Sequence, residues 1–153
     1  MRHRSGTVLA LIVLAFAPAV GSVQAQAPAP GTEVHVSVTG LRSTKGQVLI
    51  CLTTKAKGFP DCSKDPSARK LAVPAGSTLI IQLGAVPPGQ YAISLLHDEN
   101  GNGKVDTFMM MPKEGFGFSR DAPVRFGPPS FAQAAFTVGS APVNQAIKMR
   151  YMF

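Results

Sequence analysis

Residues 87–106 read PPGQYAISLLHDENGNGKVD, and a change of pattern inside them decides the fold. Pro87-Pro88-Gly89 has turn chemistry. Tyr91, Ile93 and Leu95 then stand at every second position, which places one apolar face on an extended strand from Gln90 to His97. His97 keeps that parity, so its ring falls at the end of the strand. At Asp98 the alternation of apolar residues stops and an alternation of oxygen donors begins.

The same period of two recurs outward in both directions. Glu33–Val38 alternates, with Val34, Val36 and Val38 directed to a core and His35 to the surface. Residues 47–53 carry the apolar run VLICL, expected of a strand covered on both faces or packed under a loop. Residues 69–73 and 77–83 form two further strands about Pro74-Ala75-Gly76. Ser130 to Ala135 reads as a short helical turn or an edge strand, and Phe136–Val138 continues as strand. The last strand is expected from Val143 to Met152, where Ile147, Met149 and Tyr151 alternate with Lys148 and Arg150. No amphipathic helix of useful length and no internal repeat is present. The expected fold is all-β, an antiparallel β-sandwich of about seven strands, immunoglobulin-like or prealbumin-like, with one long loop after strand five.

Residues 1–25 read as a secretory signal peptide. Arg2 and Arg4 form a basic start, Val8 to Val20 an apolar core, and Val23-Gln24-Ala25 a small-residue cleavage site. That core is too short for a membrane span. Residues 26–31 form a Pro/Ala linker and residues 32–153 one sandwich domain. The expected location is therefore exported, in the periplasm or outside the cell. The chain has 15 Lys and Arg against 8 Asp and Glu, and only Arg2 and Arg4 lie in the leader. The remaining bases are scattered, which argues against nucleic acid as a partner. An envelope protein or a polysaccharide is the expected partner class. Cys51 and Cys62 both lie in the exported part, and an oxidising compartment favours a disulfide between them.

The stretch after strand five carries the chemistry. Asp98, Asn100 and Asn102 alternate, Gly103 follows, and Asp106 comes three residues later. This D-x-N-x-N-G-x-x-D spacing matches the first nine positions of a calcium loop. Lys104 would add its backbone carbonyl. Met109 stands where a closing Glu belongs, and Glu114 is the nearest downstream carboxylate able to replace it. The expected cofactor is Ca²⁺, held weakly, with Kd of roughly 10⁻⁴–10⁻³ M. The same residues also spell an Asx-rich turn that needs no ion.

Other chemistries use the same neighbourhood. Met109 and Met111 with His97 offer soft ligands for Cu(I), as in a periplasmic copper-handling protein. The two methionines serve equally as packing. Phe116 and Phe118, spaced by Gly115 and Gly117, either cap the core or join Met109 and Met111 in a partner surface. A secreted hydrolase would use His97, Asp98, Glu114 and Ser119. Ser119, however, lies in GFSRD and not in a G-x-S-x-G elbow. With no catalytic motif, the protein is expected not to be an enzyme.

HDENGNGK-x-D followed by PKEGFGFS, with PPGQYAI before them and a last strand ending in Tyr, resembles bacterial domain-of-unknown-function family 2141. The resemblance runs from about Val34 to Tyr151. It implies a secreted or periplasmic β-sandwich and carries no established activity. The turn Val86–Tyr91 also resembles that of prealbumin-like and Cna B-type surface modules, some of which hold calcium on a D-x-N-x-D-G loop.

Overall fold

The computed structural model describes residues 31–108 and 111–153. The leader, all of the linker but Gly31, and Met109 lie outside these residues. Strand β1 is Thr32–Thr39, β2 Gln47–Thr53, β3 Arg69–Pro74, β4 Leu79–Val86 and β5 Gly89–Asp98. The hairpin strands β6 (Thr107–Phe108) and β7 (Met111–Pro112) follow, then β8 (Gly115–Phe118). A 3-10 turn (Ser119–Asp121), a short helix α1 (Phe131–Ala134), β9 (Phe136–Val138) and β10 (Val143–Lys148) complete the order.

Two sheets face one another across an apolar core, as the alternation requires. One has the order β10-β1-β4. The other runs β3-β2-β5-β8, with β9 pairing the first residues of β5. Val34, Val36 and Val38 of β1 are fully buried, while Glu33 and His35 lie on the opposite face. From the second sheet, Ile50, Ile93 and Leu95 meet them, each at most 2% exposed. Burying one such side chain is worth about 1.5–3 kcal/mol, so this face dominates the stability of the fold.

The two sheets are joined along one side. The N–H groups of Phe116 and Arg150 each donate to the other residue's carbonyl at 2.9 Å, and Met149 N–H donates to Thr39 O at 2.8 Å. The end of the chain thus bridges β8 and β1, and regular strand stops at Lys148 rather than Met152. On the other side, the Arg69 guanidinium donates to the carbonyls of Leu83 and, at 3.0 Å, Ala85. A charged side chain here covers backbone groups at a sheet edge.

Three features differ from expectation. First, β10 runs parallel to β1, from Val34↔Val143 to Thr39↔Lys148. Strand β9 belongs to the other sheet, so the chain crosses between sheets at residues 139–142, and a crossover removes the antiparallel constraint of a hairpin. Second, β4 begins at Leu79 and runs to Val86. Third, the long loop after strand five is not one loop: residues 107–118 contain a hairpin and a sheet strand. Gly115 and Gly117 make β8 possible. A Cβ on Gly115 would stand 2.3 Å from the Tyr151 ring, and one on Gly117 2.7 Å from Ile147 Cγ2.

Strand β5 is buried on both faces. Its outer face carries a second apolar cluster of Ala92, Phe118, Ala122 and Ala134. Phe59 closes it, 6.0 Å from both the Phe118 and Phe131 rings in edge contacts. Phe59 sits on the loop that Cys51 and Cys62 close as a disulfide, with Cα atoms 6.2 Å apart. That loop explains the continuous apolar run of β2. Residues 131–134 take the helical alternative, capped by reciprocal bonds between Ser130 and Gln133.

Candidate functional site: an acidic corner at the end of β5

Asp98 is the last residue of β5 and is completely buried. Its Oδ2 accepts from Gln47 Nε2 at 2.9 Å and from Gly103 N–H at 2.8 Å. Its Oδ1 accepts from Asn102 N–H at 3.0 Å. The chain therefore curls back over its own carboxylate, with Gly101 (φ 71°) and Gly103 (φ 74°) in the left-handed region that the curl demands. Burial pushes the Asp98 carboxyl up. The bonds from Gln47, Gly103 and Asn102 outweigh it and hold the group below its usual range.

The rest of the loop closes on Asp106. Asn100 Nδ2 donates to Asp106 Oδ2 at 2.6 Å, and Asn102 Nδ2 to Oδ1 and Oδ2 at 3.1 and 3.0 Å. The amide oxygens serve the backbone: Asn100 Oδ1 accepts from Asn102 N–H, and Asn102 Oδ1 from Lys104 N–H. Asp106 N–H in turn donates to Glu114 Oε2 at 3.1 Å.

Glu114 is the anomaly. It is 4% exposed, and its Oε1 has no hydrogen-bond partner among the described residues. A buried carboxylate oxygen left unpaired is costly. Burial raises the Glu114 carboxyl above its ordinary range, the Asp106 N–H opposes this, and the charges of Asp98, Asp106 and Glu99 add to the rise.

Glu99 has the contrary surroundings. Arg42 Nε donates to its Oε2 at 3.0 Å, with Nη2 of the same guanidinium on the same oxygen, and Ser43 Oγ donates to Oε1 at 2.6 Å. Arg42 holds the Glu99 carboxyl down to about 2. The guanidinium also donates to the carbonyls of Lys113 and Phe153 and lies 4.5 Å from the centre of the Tyr151 ring. Arg42, Ser43, Gln47 and Tyr151 are corner residues that the spacing of the loop does not announce. Tyr151 alone left a trace, as the last apolar position of the final strand.

His97 is sealed beneath this corner at 0% exposure. Its Nε2 lies 2.9 Å from the Lys45 carbonyl, which can only accept, so Nε2 carries a proton. Nδ1 lies 2.7 Å from Tyr151 Oη, and that oxygen already accepts from Arg42 N–H at 3.1 Å. The tyrosine hydroxyl keeps its own O–H for Nδ1. Gly46 lets the β1–β2 turn come this close: its φ is +69°, and a Cβ there would lie 2.0 Å from the Asp98 carbonyl oxygen.

The candidate residues thus separate. Asp98, Asn100, Asn102, Asp106 and Glu114 share one corner, with Lys104 exposed on its rim. Among the described residues, no three His, Cys, Asp or Glu side chains gather into a metal-holding group. Oxygens of the two Asn amides would have to complete any shell. Among the described residues, which leave out Met109, the copper set does not assemble: both His97 nitrogens are engaged, and Met111 is exposed at 42%. Nor does the serine–histidine pair. Ser119 Oγ is buried, donates to Ala134 O at 2.6 Å and accepts from Ile93 N–H at 2.9 Å. The partner surface is corrected as well. Phe118 is 4% exposed inside the second cluster and Phe116 packs against that cluster, because the glycines turn the other face of β8 to Tyr151 and Ile147. Of the four residues proposed for that surface, Met111 is exposed and Met109 lies outside the described residues.

No curated protein and no solved structure shows a significant match to the chain. A family model, described as an uncharacterized protein conserved in bacteria, domain of unknown function 2141, matches residues 36–146. That span begins in β1 and ends in β10, takes in both sheets and the acidic corner, and makes the chain a member of this bacterial family.

Proposed function

We propose that the protein is an exported, non-catalytic β-sandwich module of the bacterial envelope whose acidic corner takes a hard cation of the calcium class. The observation that carries this reading is the buried Glu114 oxygen without a partner among the described residues, in a carboxyl that feels the charges of Asp98 and Asp106. Glu114 supplies the strong carboxylate that Met109 cannot. Asp98 and Asp106 would add carboxylate oxygens and Lys104 its carbonyl. The Asn100 and Asn102 amides would turn by half a rotation to offer oxygen in place of nitrogen. This donor set is hard and all-oxygen, which suits Ca²⁺ better than a transition metal.

Export is supported by the leader pattern and by the Cys51–Cys62 disulfide, which suits an oxidising compartment. Among the described residues, no helix is long and apolar enough to cross a membrane. The engagement of His97 and Ser119 by structural hydrogen bonds supports a non-catalytic role.

A melting curve of residues 26–153 in EDTA and across a calcium titration tests the reading. With Kd of about 10⁻⁴–10⁻³ M, a concentration of about 10 mM should stabilise the native state by about 1.4–2.7 kcal/mol. The shift should vanish in Asp98→Ala and Asp106→Ala and shrink in Glu114→Gln. A melting temperature that ignores calcium over this range would sink the proposal and leave the corner as a hydrogen-bonded turn.

A further inference from the structure

The disulfide end of the molecule has the opposite charge character to the acidic corner. Four of the chain's 8 acidic residues, Asp98, Glu99, Asp106 and Glu114, lie in the corner. The disulfide loop and the start of β3 carry Lys55, Lys57, Lys64, Arg69 and Lys70, with Asp61 and Asp65 as their acids. Both acids are internally engaged. Asp65 is buried and accepts from Thr53 Oγ1 at 2.6 Å, Lys55 Nζ at 2.9 Å and Ser67 Oγ at 2.6 Å. Asp61 accepts from the N–H and hydroxyl of Ser63. Lys57 and Lys64 are exposed and, among the described residues, take part in no salt bridge.

A second loop stands beside this one. Val124 and Phe131, which bracket residues 125–130, both pack on the cluster that Phe59 of the disulfide loop closes. Between them, Arg125 is exposed and outside every salt bridge of the described residues, and Phe126 is fully exposed at 107%. Gly127 and Pro128 complete an exposed tip, and Pro129 behind it is buried, so the tip stands on a packed base.

We propose that this face docks on an anionic phospholipid bilayer, with Phe126 entering the interface and Lys57, Lys64 and Arg125 meeting the headgroups. Charge complementarity selects an anionic surface, since Lys55, Lys57, Lys64, Arg69 and Lys70 outnumber Asp61 and Asp65, and Asp65 is already paired with Lys55. The exposed ring selects lipid over acidic polysaccharide. A lone Phe has no polar handle, and it gains most where hydrocarbon receives it. The acidic corner, at the other end of β5, would then face away from the membrane. The proposal assumes export but not cation binding.

Sedimentation of residues 26–153 with vesicles tests it. The probes are phosphatidylcholine vesicles containing phosphatidylglycerol, pure phosphatidylcholine vesicles, and dextran sulfate as a soluble acidic polymer. EDTA is present throughout, so that no divalent ion bridges the acidic corner to lipid. Binding to the anionic vesicles is expected, weakening as salt shortens the screening length. Phe126→Ser should reduce the partition constant roughly tenfold. Lys57→Glu with Lys64→Glu should reduce it by at least roughly tenfold, from about fivefold per lost base near an anionic surface. Lys45→Glu with Lys113→Glu, at the acidic end, should leave it nearly unchanged. All these positions are exposed, so circular dichroism should report an unaltered fold. The proposal is overturned by failure to sediment with anionic vesicles, or by full binding in Phe126→Ser. An equal loss in the acidic-end variant would overturn it too. Binding to dextran sulfate but not to vesicles would assign the face to polysaccharide instead. None of these outcomes bears on the calcium melting curve, so the two readings fail separately.

Discussion

Strand β5 is flanked by two loop systems held by different physics. Over its outer face, the disulfide loop and residues 122–134 are fixed by aromatic packing and a covalent link. Past its C-terminal end, residues 98–106 are fixed almost wholly by hydrogen bonds to carboxylates. Apolar packing holds a loop whatever the pH or ion content. A corner built from carboxylates holds it in a way that protons and cations can change. The first region is suited to presenting a constant surface, the second to responding.

The largest effect is expected where packing governs. Phe118→Ala opens a cavity beneath Phe59 and should cost about 3–5 kcal/mol, read as a fall in the urea midpoint. The loss should be the same at pH 5 and pH 7, in EDTA or in calcium. A loss under 1 kcal/mol, or one that calcium restores, would erase the distinction between the two regions. Next comes the covalent link. Replacing Cys51 and Cys62 together by Ala should cost about 2–3 kcal/mol, from the unfolded-state entropy of a short closed loop. An unchanged midpoint would mean that the aromatic contacts of Phe59 hold this loop unaided.

The corner should give a smaller and more conditional response. Asp98→Ala removes the acceptor for Gln47, Asn102 and Gly103, which should cost about 1–3 kcal/mol in EDTA. Hydrogen exchange at the Asn102 and Gly103 amides should accelerate, while amides of β2 and β5 stay protected. Uniform acceleration across both sheets would instead make Asp98 a keystone of the fold and merge the two regions into one cooperative unit.

The two regions were also unequally legible. The strands that build the core follow from alternation, because Val34–Val38 and Tyr91–Leu95 each carry a complete apolar face. Strand β8 has no such signature. Its inner face is Gly115 and Gly117, and the residue that fills the space, Tyr151, lies at the far end of the chain. The parallel pairing of β1 with β10 joins Val34 to Val143, and nothing local encodes so distant a register. At the corner, the spacing of Asp98, Asn100, Asn102 and Asp106 is local and could be read. The Arg42 partner arrives from the β1–β2 turn, Gln47 from β2 and Tyr151 from beyond β10, and the loop's own spacing announces none of them. Phe118 was ambiguous because a Phe next to glycine looks alike in a core and on a surface.

Glu114 gives the subtlest test. Its folded-state carboxyl is raised above the ordinary value of 4.5, chiefly by burial, so the native state holds its proton more tightly than the unfolded chain does. Below pH 4.5 both states are protonated and Glu114 imposes no penalty. As pH rises through 4.5 and then through the raised folded value, the native state must ionise a buried group, and stability is lost. Glu99 has the opposite sign. Depressed to about 2, it contributes stability above pH 4.5 that is lost as pH falls toward 2. In EDTA, Glu114→Gln should therefore remove a downward slope of stability above pH 4.5 and melt no lower than the parent at pH 7. Glu99→Gln should melt lower at pH 7, with the difference closing in acid. Saturating calcium should reverse the order for Glu114: the parent gains from its ionised carboxylate and the Gln variant gains less. That crossing separates a buried acid that merely tolerates its site from one placed to meet a cation. If Glu114→Gln were destabilised at pH 7 in EDTA, the unpaired oxygen would have a partner in solution. The contrast between a self-satisfied disulfide end and an unsatisfied acidic corner would then fail at the residue that defines it.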